Sequence, residues 1–228
     1  MTDLDRSPFF RRPRAKIRRL KGLYQRKPGE PIFDNRNFLR KFAERKSNYL
    51  LGFITDPITG VLLTIWDIAV FRSNIAIAVA FFAVGVFSFT LLEYAFHRFV
   101  YHKGNTLAHA GHLMHHESPR MLLGMPWFIT SGVFWLVWYV VAFHYPIHFL
   151  LSFLGGLLVG YFIYCSVHHA EHHFAFMNTW FRELNNHHKI HHTLQDVNFG
   201  VTNRFWDRAF GTLYRKETYK PKSQRMSS

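Results

Sequence analysis

Residues 121–170 read MLLGMPWFITSGVFWLVWYVVAFHYPIHFLLSFLGGLLVGYFIYCSVHHA and contain no Asp, Glu, Lys or Arg. A helix needs about 20 mostly apolar residues to cross the hydrocarbon layer of a membrane. This stretch has the length for two crossings, with a turn near His144-Tyr145-Pro146. Residues 73–92 form a second uncharged run, long enough for one more. The mean hydropathy of -0.05 is then an average over a membrane part and a polar part. The chain is expected to be an all-α integral membrane protein.

A weaker apolar stretch, Leu50 to Phe71, is interrupted by Asp56 and Asp67. Alone it suits an interfacial helix, a re-entrant segment or a poor span. Charge separates these. Residues 1–48 hold 15 Lys/Arg against 5 Asp/Glu, a surplus of ten out of the total net charge of +14. Residues 98–120 and 171–228 carry further basic groups, while the turn at 143–148 carries none. Basic residues flanking spans favour the cytoplasmic side. The tail, the middle loop and the C-terminal region therefore belong together inside, which requires an even number of crossings. The expectation is about four transmembrane helices, arranged as two hairpins, with a cytoplasmic helical cap.

Three segments follow: a basic N-terminal tail (1–48), a membrane-embedded domain (49–215) and a polar C-terminal tail (216–228). The run RRPRAKIRRLKGLYQRKP invites a nucleic-acid reading, but a basic patch beside a membrane is better suited to anionic lipid headgroups. The first 48 residues lack the apolar core of a secretory signal. One cysteine, Cys165, allows no internal disulfide.

Of 16 histidines, 14 fall in four groups, and only His144 and His148 stand apart, in the far-side turn. The groups are HRFVYH (97–102), HAGHLMHH (109–116), HHAEHH (168–173) and HHKIHH (187–192). The spacing H-x-x-H-H recurs as His112/His115/His116, His169/His172/His173 and His188/His191/His192. On a helix these positions share a face, so three rings are expected to converge on one point. His97 and His102 differ: five residues is about 500° of helix rotation, so they cannot share an ideal helical face. They are expected to straddle the end of a span.

Imidazole nitrogen is a good ligand for Fe, Zn, Cu or Ni. A structural zinc site needs four ligands and often recruits cysteine. Ten or more histidines suggest two metals with several ligands each. Apolar lipid chains offer no handle for acid–base catalysis, and attacking their C–H bonds calls for an oxidant made by reducing O2 at iron. A transporter, by contrast, would place its ligands near the bilayer midplane, where these apolar runs are bare of histidine.

With EYAFHRFVYH (93–102), HLMHHESP (112–119), YCSVHHAEHH (164–173), HHKIHH (187–192) and the closing NFGVTNRFWDRAFGT (198–212), the chain resembles the fatty acid hydroxylase/sterol desaturase superfamily of membrane di-metal, histidine-box oxygenases. Histidine boxes alone also suit alkane monooxygenases and acyl desaturases; the G-V-T and W-D-x-x-F-G-T ending points to this superfamily. The resemblance spans about residues 60–215. It implies metal ligation by His97, His102, His112, His115, His116, His188, His191 and His192. The family's H-x-x-x-H box fits either His168/His172 or His169/His173, and Tyr164, four residues earlier, favours the first. His169, His173 and His187 then become surrounding residues. Asp207 is expected to accept a hydrogen bond from a ligand imidazole, or else to serve as a helix cap or surface ion pair. Glu93 and Glu171 are further candidates for that supporting role.

The resemblance implies an O2-dependent lipid hydroxylase acting on a fatty acyl chain at two iron ions, with zinc as a replacement during isolation. Sterol, hopanoid or carotenoid hydroxylation or desaturation is the alternative, and a non-catalytic metal-binding membrane protein is the alternative of another class. Some relatives carry a fused cytochrome b5 domain, absent from this sequence, so electrons are expected from a separate cytochrome b5-like or ferredoxin-type protein. A bacterial inner membrane suits these features, or the endoplasmic reticulum in a eukaryote. Apolar residues that would line a lipid pocket, such as Phe81, Phe87, Trp135 and Tyr161, look like any membrane helix surface.

Overall fold

The computed structural model describes residues 35–103, 106–175 and 178–216. Most of the basic tail lies outside them. Among the described residues all regular structure is helical. The order is α1 (Asn35–Ala43), α2 (Lys46–Ala69), α3 (Ile75–Phe96), a π-helix (His97–Tyr101), α4 (Leu107–Glu117), α5 (Trp127–Phe143), α6 (Leu150–His173), α7 (Thr179–Thr193) and α8 (Phe205–Ala209).

Three segments are long and apolar enough to cross a membrane: Lys46–Ala69, Ile75–Tyr101 and Leu150–His173. Helix α5 is equally apolar but has 17 residues, about 26 Å at 1.5 Å per residue, against a hydrocarbon layer of about 30 Å. The weak stretch with two aspartates is thus the continuous helix α2, and the shortfall lies in α5 instead. The aspartates do not spoil α2 because both face inward, with Asp56 4% and Asp67 0% exposed. The outward positions are bare hydrocarbon, as at Ile75 and Leu136, each 64% exposed. This is an integral membrane protein.

Helix α6 is the centre of the bundle and packs along both α2 and α3. Its pair Gly155-Gly156 explains how it fits between them. A Cβ on Gly155 would collide with the carbonyl oxygen of Gly60 on α2, and one on Gly156 with that of Phe82 on α3. Small residues let membrane helices approach backbone to backbone, where van der Waals contact replaces the missing hydrophobic drive. Where α2, α5 and the start of α6 meet, Leu63, Val141 and Leu151 form a buried cluster with Trp66 and Trp138. At the end of the bundle away from the histidines, Asp67 accepts hydrogen bonds from Ser73 Oγ (2.6 Å), Ser152 N (2.9 Å) and Ser152 Oγ (2.8 Å). Two of these come from the first turn of α6, whose free N–H groups favour a carboxylate. The other end carries α4, α7, α8 and the segment that links the last two.

Candidate metal centre

The histidines collect into two groups of five. His97, His102, His112, His116 and His191 form one; His115, His168, His172, His188 and His192 form the other. In each group one nitrogen per ring lies within 4.8 Å of the corresponding nitrogens of the rest. All ten come from the candidate boxes.

The H-x-x-H-H boxes do not each converge on one point as expected. His112 and His116 enter the first group while His115, between them, enters the second. His188 and His192 enter the second while His191 enters the first. Helical rotation supplies the reason: positions i and i+4 diverge by about 40°, whereas i+3 lies about 100° from i+4. Helices α4 and α7 thus each give two rings to one group and one ring to the other, braiding the two together.

His97 and His102 do come together, with ring centroids 5.2 Å apart. The α-helical turn is replaced by a π-helix over His97–Tyr101, whose i to i+5 winding suits a five-residue spacing and which recurs at functional sites. His102 caps the end of that turn. Helix α4 is started by the Thr106 hydroxyl, which accepts from His109 N, and α7 by the Asn178 side chain, which accepts from Trp180 N.

On two rings the nitrogen that faces away from the group is held by the backbone. His97 Nδ1–H donates to the Phe199 carbonyl, and His191 Nδ1–H to the Val197 carbonyl at 2.8 Å. A neutral imidazole carries one N–H, so these bonds leave Nε2 of both rings as bare lone pairs facing the group. His191 Nε2 is then 2.9 Å from His102 Nε2, and His97 Nε2 is 3.1 Å from His112 Nε2.

The carbonyls belong to the closing segment, and that segment is tied down twice. Asp207, fully buried, accepts from Phe199 N (2.8 Å), Gly200 N (2.8 Å), Thr212 Oγ1 (2.7 Å) and His187 Nε2 (3.0 Å). Glu93, on the last turn of α3, accepts from Val201 N and from Thr202 N and Oγ1. Asn198 adopts a left-handed conformation, φ 57°, which asparagine tolerates better than most residues. Its amide donates to the His187 carbonyl. Asp207 was expected to touch a ligand imidazole; it touches His187, outside both groups, and reaches His97 and His191 through the loop. Glu93 acts the same way. Glu171 is buried, and among the described residues neither of its carboxylate oxygens has a hydrogen-bond partner.

Burial sets the charge state. It lowers the pKa of His102 to about 4, with His109 adding repulsion, and that of His116 to about 3, with His102 adding to the effect. Burial, then neighbouring rings, also pushes His112, His115, His188, His191 and His192 down. Burial pulls Asp207 upward, but its bonds from His187 and Thr212 outweigh that and hold it below the usual carboxylate range. Neutral imidazoles are the form that binds metal. Buried lone pairs that face each other without intervening protons need a cation, and all-imidazole sets suit iron or zinc. The donor set fits two metal ions.

An apolar cavity of about 220 Å³ opens directly on this centre. His112 of the first group and His115 and His168 of the second form part of its wall, and Tyr161, Phe53 and Cys165 line it further in. Of the residues proposed from sequence to line a lipid pocket, Tyr161 does so. Phe81 and Phe87 face outward, 43% and 59% exposed, and Trp135 lines a separate shallow groove with Trp127 and Ser131.

His169 and His173 lie outside both groups. Their rings stack on each other, and His169 Nδ1 pairs with the Tyr49 hydroxyl at 2.9 Å. His109 Nδ1–H donates to the Tyr101 carbonyl. His148 lies at the far end of the bundle, beside Ser73.

The family model described as fatty acid hydroxylase matches residues 82–212, more than half the chain. The chain belongs to the fatty acid hydroxylase family. The dihydroceramide fatty acyl 2-hydroxylase FAH2 of Arabidopsis thaliana is 34% identical over 140 residues, covering 58% of this chain and 59% of that protein. The ceramide very long chain fatty acid hydroxylase scs7 of Schizosaccharomyces pombe is 30% identical over 151 residues, covering 60% of this chain and 43% of that protein. The chain thus spans about half the length of the curated relatives it matches. A solved structure of full-length Scs7p, with only the hydroxylase domain visible, superposes with a TM-score of 0.60 at 28% identity, covering 81% of this chain and 72% of that one. The family match contains all ten histidines of the two groups, Glu93 and Asp207.

Proposed function

We propose that this fatty acid hydroxylase family member inserts one oxygen atom of O2 into a fatty acyl chain of a membrane lipid. One observation carries the reading: two five-histidine groups share a wall with an apolar cavity that runs into the membrane bundle. The names of the relatives, which act on ceramide or dihydroceramide fatty acyl chains, point the same way.

His97, His102, His112, His116 and His191 would hold one iron ion, and His115, His168, His172, His188 and His192 the other. When bound, the metal pair supplies the redox chemistry that lets O2 attack an unactivated C–H bond. The balance is a C–H bond, O2, two electrons and two protons giving an alcohol and water. An electron-transfer protein of cytochrome b5 or ferredoxin type supplies the electrons. The chain's own contribution is placement. The loop carbonyls at 197 and 199 keep two imidazoles in the ligating tautomer, and the cavity holds the acyl chain out of water against His112, His115 and His168. Helix ends rather than span centres carry the ligands, which argues against a transporter. Lipids from cells expressing the protein under 18O2 are expected to gain one 18O per modified acyl chain, read by mass spectrometry. Unchanged lipids in iron-supplied cells with a functioning electron donor would remove the reading.

We further propose that the metal centre faces the cytoplasm, on the strength of the basic tail and loops, in a bacterial inner membrane or the endoplasmic reticulum. Cysteines placed at Thr106 and Lys216, both exposed, are expected to be shielded from an impermeant thiol reagent in intact cells or sealed microsomes of cytoplasmic-side-in orientation. One at Tyr145, 68% exposed, should react there. The reverse pattern would invert the topology.

A further inference from the structure

Glu171 is 5% exposed, and among the described residues neither Oε1 nor Oε2 has a hydrogen-bond partner. The other buried carboxylates, Asp56, Asp67, Glu93 and Asp207, all collect donors. Lys189, on the neighbouring α7, is exposed and makes no bond to Glu171. A buried carboxylate left without a partner is costly, so packing alone does not account for a glutamate here.

The second histidine group holds the complementary group. His188 turns Nε2 inward, 2.9 Å from His172 Nε2 and 3.0 Å from His192 Nε2. A neutral imidazole that ligates through Nε2 carries its proton on Nδ1. In the first group the Phe199 and Val197 carbonyls accept that N–H from His97 and His191. His188 Nδ1 is buried with no partner among the described residues, in a side chain 1% exposed. Nδ1 of His116 and of His192 is also unmatched, but those two residues are partly exposed and lie nearer water.

Donor and acceptor stand at one contact between α6 and α7. Glu171 lies on the turn of α6 that carries His168 and His172. Its carbonyl accepts from Asn185 Nδ2 at 2.8 Å, and Asn185 precedes His188 by one turn on the same side of α7. Asn185 Oδ1 is likewise buried and unmatched, so it competes for the His188 proton. A carboxylate is the stronger acceptor. It also offsets the positive charge that an ion brings among five neutral imidazoles, and carboxylates commonly orient ligand rings in this way. We propose that Glu171 is the positioning carboxylate of the second group: its side chain accepts His188 Nδ1–H and so keeps Nε2 of that ring on the metal. The proposal rests on the reading of the two groups as a two-ion centre given above.

Zinc-loaded protein in detergent tests this without any turnover. In a 13C- and 15N-labelled sample the His188 ring is assigned by NMR through its own backbone. Its Nδ1–H is expected as a slowly exchanging proton at low field, with Nε2 bound to zinc. Glu171→Gln keeps the volume and one acceptor oxygen but not the carboxylate's strength, so this resonance should move upfield while both ions stay. Glu171→Leu leaves no acceptor, and the resonance should be lost. A chelator should then release one ion per chain at a concentration about tenfold lower, and the other as in the native protein. Asn185→Ala removes a bond to the Glu171 backbone only and should leave the resonance at low field.

An unmoved resonance in Glu171→Gln overturns the proposal even if Glu171→Leu fails to fold, because a side chain that only packs is indifferent to an isosteric amide. Loss of the resonance in Asn185→Ala with no movement in Glu171→Gln overturns it too, and gives the His188 proton to Asn185. Two zinc ions bound with an unmoved resonance sink this inference alone. Fewer than two in the native protein sinks the two-ion reading, and the role of Glu171 with it.

Discussion

Alanine at His172 or His188 is expected to abolish lipid hydroxylation and to cost about one metal ion per chain. Both rings belong to the second group, and their Nε2 atoms lie 2.9 Å apart. Deleting one removes a ligand and leaves the facing lone pairs without the cation they share. Losing a group that merely orients a ligand typically costs 10–100-fold in affinity or activity, so losing a ligand should exceed that. The neighbours on the same turn of α6 provide the contrast. His169→Ala breaks the tie to Tyr49 and His173→Ala removes a stacked, partly exposed ring, yet neither opens either group. Both variants should keep two ions, with activity reduced less than tenfold. Elemental analysis after iron supplementation, beside 18O incorporation, tests this. Two retained ions in His172→Ala and His188→Ala would refute the two-group assignment. The protein should still reach the membrane in every case, because the apolar spans drive insertion independently of the metals.

The spans and the histidines were legible in the sequence for a common reason: both are patterns of residue type at fixed spacing. An uncharged run of 50 residues and boxes repeated at i, i+3 and i+4 need no tertiary information. What the spacing could not reveal was partnership. A box whose positions share a helical face looks like a tripod for one ion, and only the opposition of α4 and α7 shows that each box divides its rings between two. The π-turn after Phe96 was equally hidden, since HRFVYH carries no residue that marks i to i+5 winding. Its five-residue spacing was the one signal, and it pointed away from a shared helical face because an α-helix was assumed.

Asp56 and Asp67 illustrate the same limit from the other side. By composition they weaken the case for a span. In the fold they face α5 and α6 and collect hydroxyl and backbone donors, so the helix that carries them keeps an apolar outer face. Hydropathy averages over the two faces of a helix, and that average cannot distinguish a buried carboxylate with partners from one that would keep the segment out of the bilayer.

Asp207→Ala is expected to strip the first histidine group of its metal before the second, although Asp207 touches none of its rings. The side chain gathers four donors in the buried interior: Phe199 N, Gly200 N, Thr212 Oγ1 and His187 Nε2. Each buried donor left unmatched costs about 1–3 kcal/mol, so the variant should lose several kcal/mol of stability in the cap. The loop it releases carries the carbonyls that accept from His97 and His191. Without them those imidazoles can take the proton on Nε2 and turn the wrong nitrogen to the metal. His115, His168, His172, His188 and His192 have no such bond to this loop and should hold their ion longer. Titration with a chelator should therefore release one ion per chain at a concentration at least tenfold lower than in the native protein, with the second released as before. Asp207→Asn retains a single acceptor oxygen for three or four donors and should fall between the two. Simultaneous loss of both ions in Asp207→Ala, with the helical signal preserved, would mean that the loop steadies the whole centre rather than its first half.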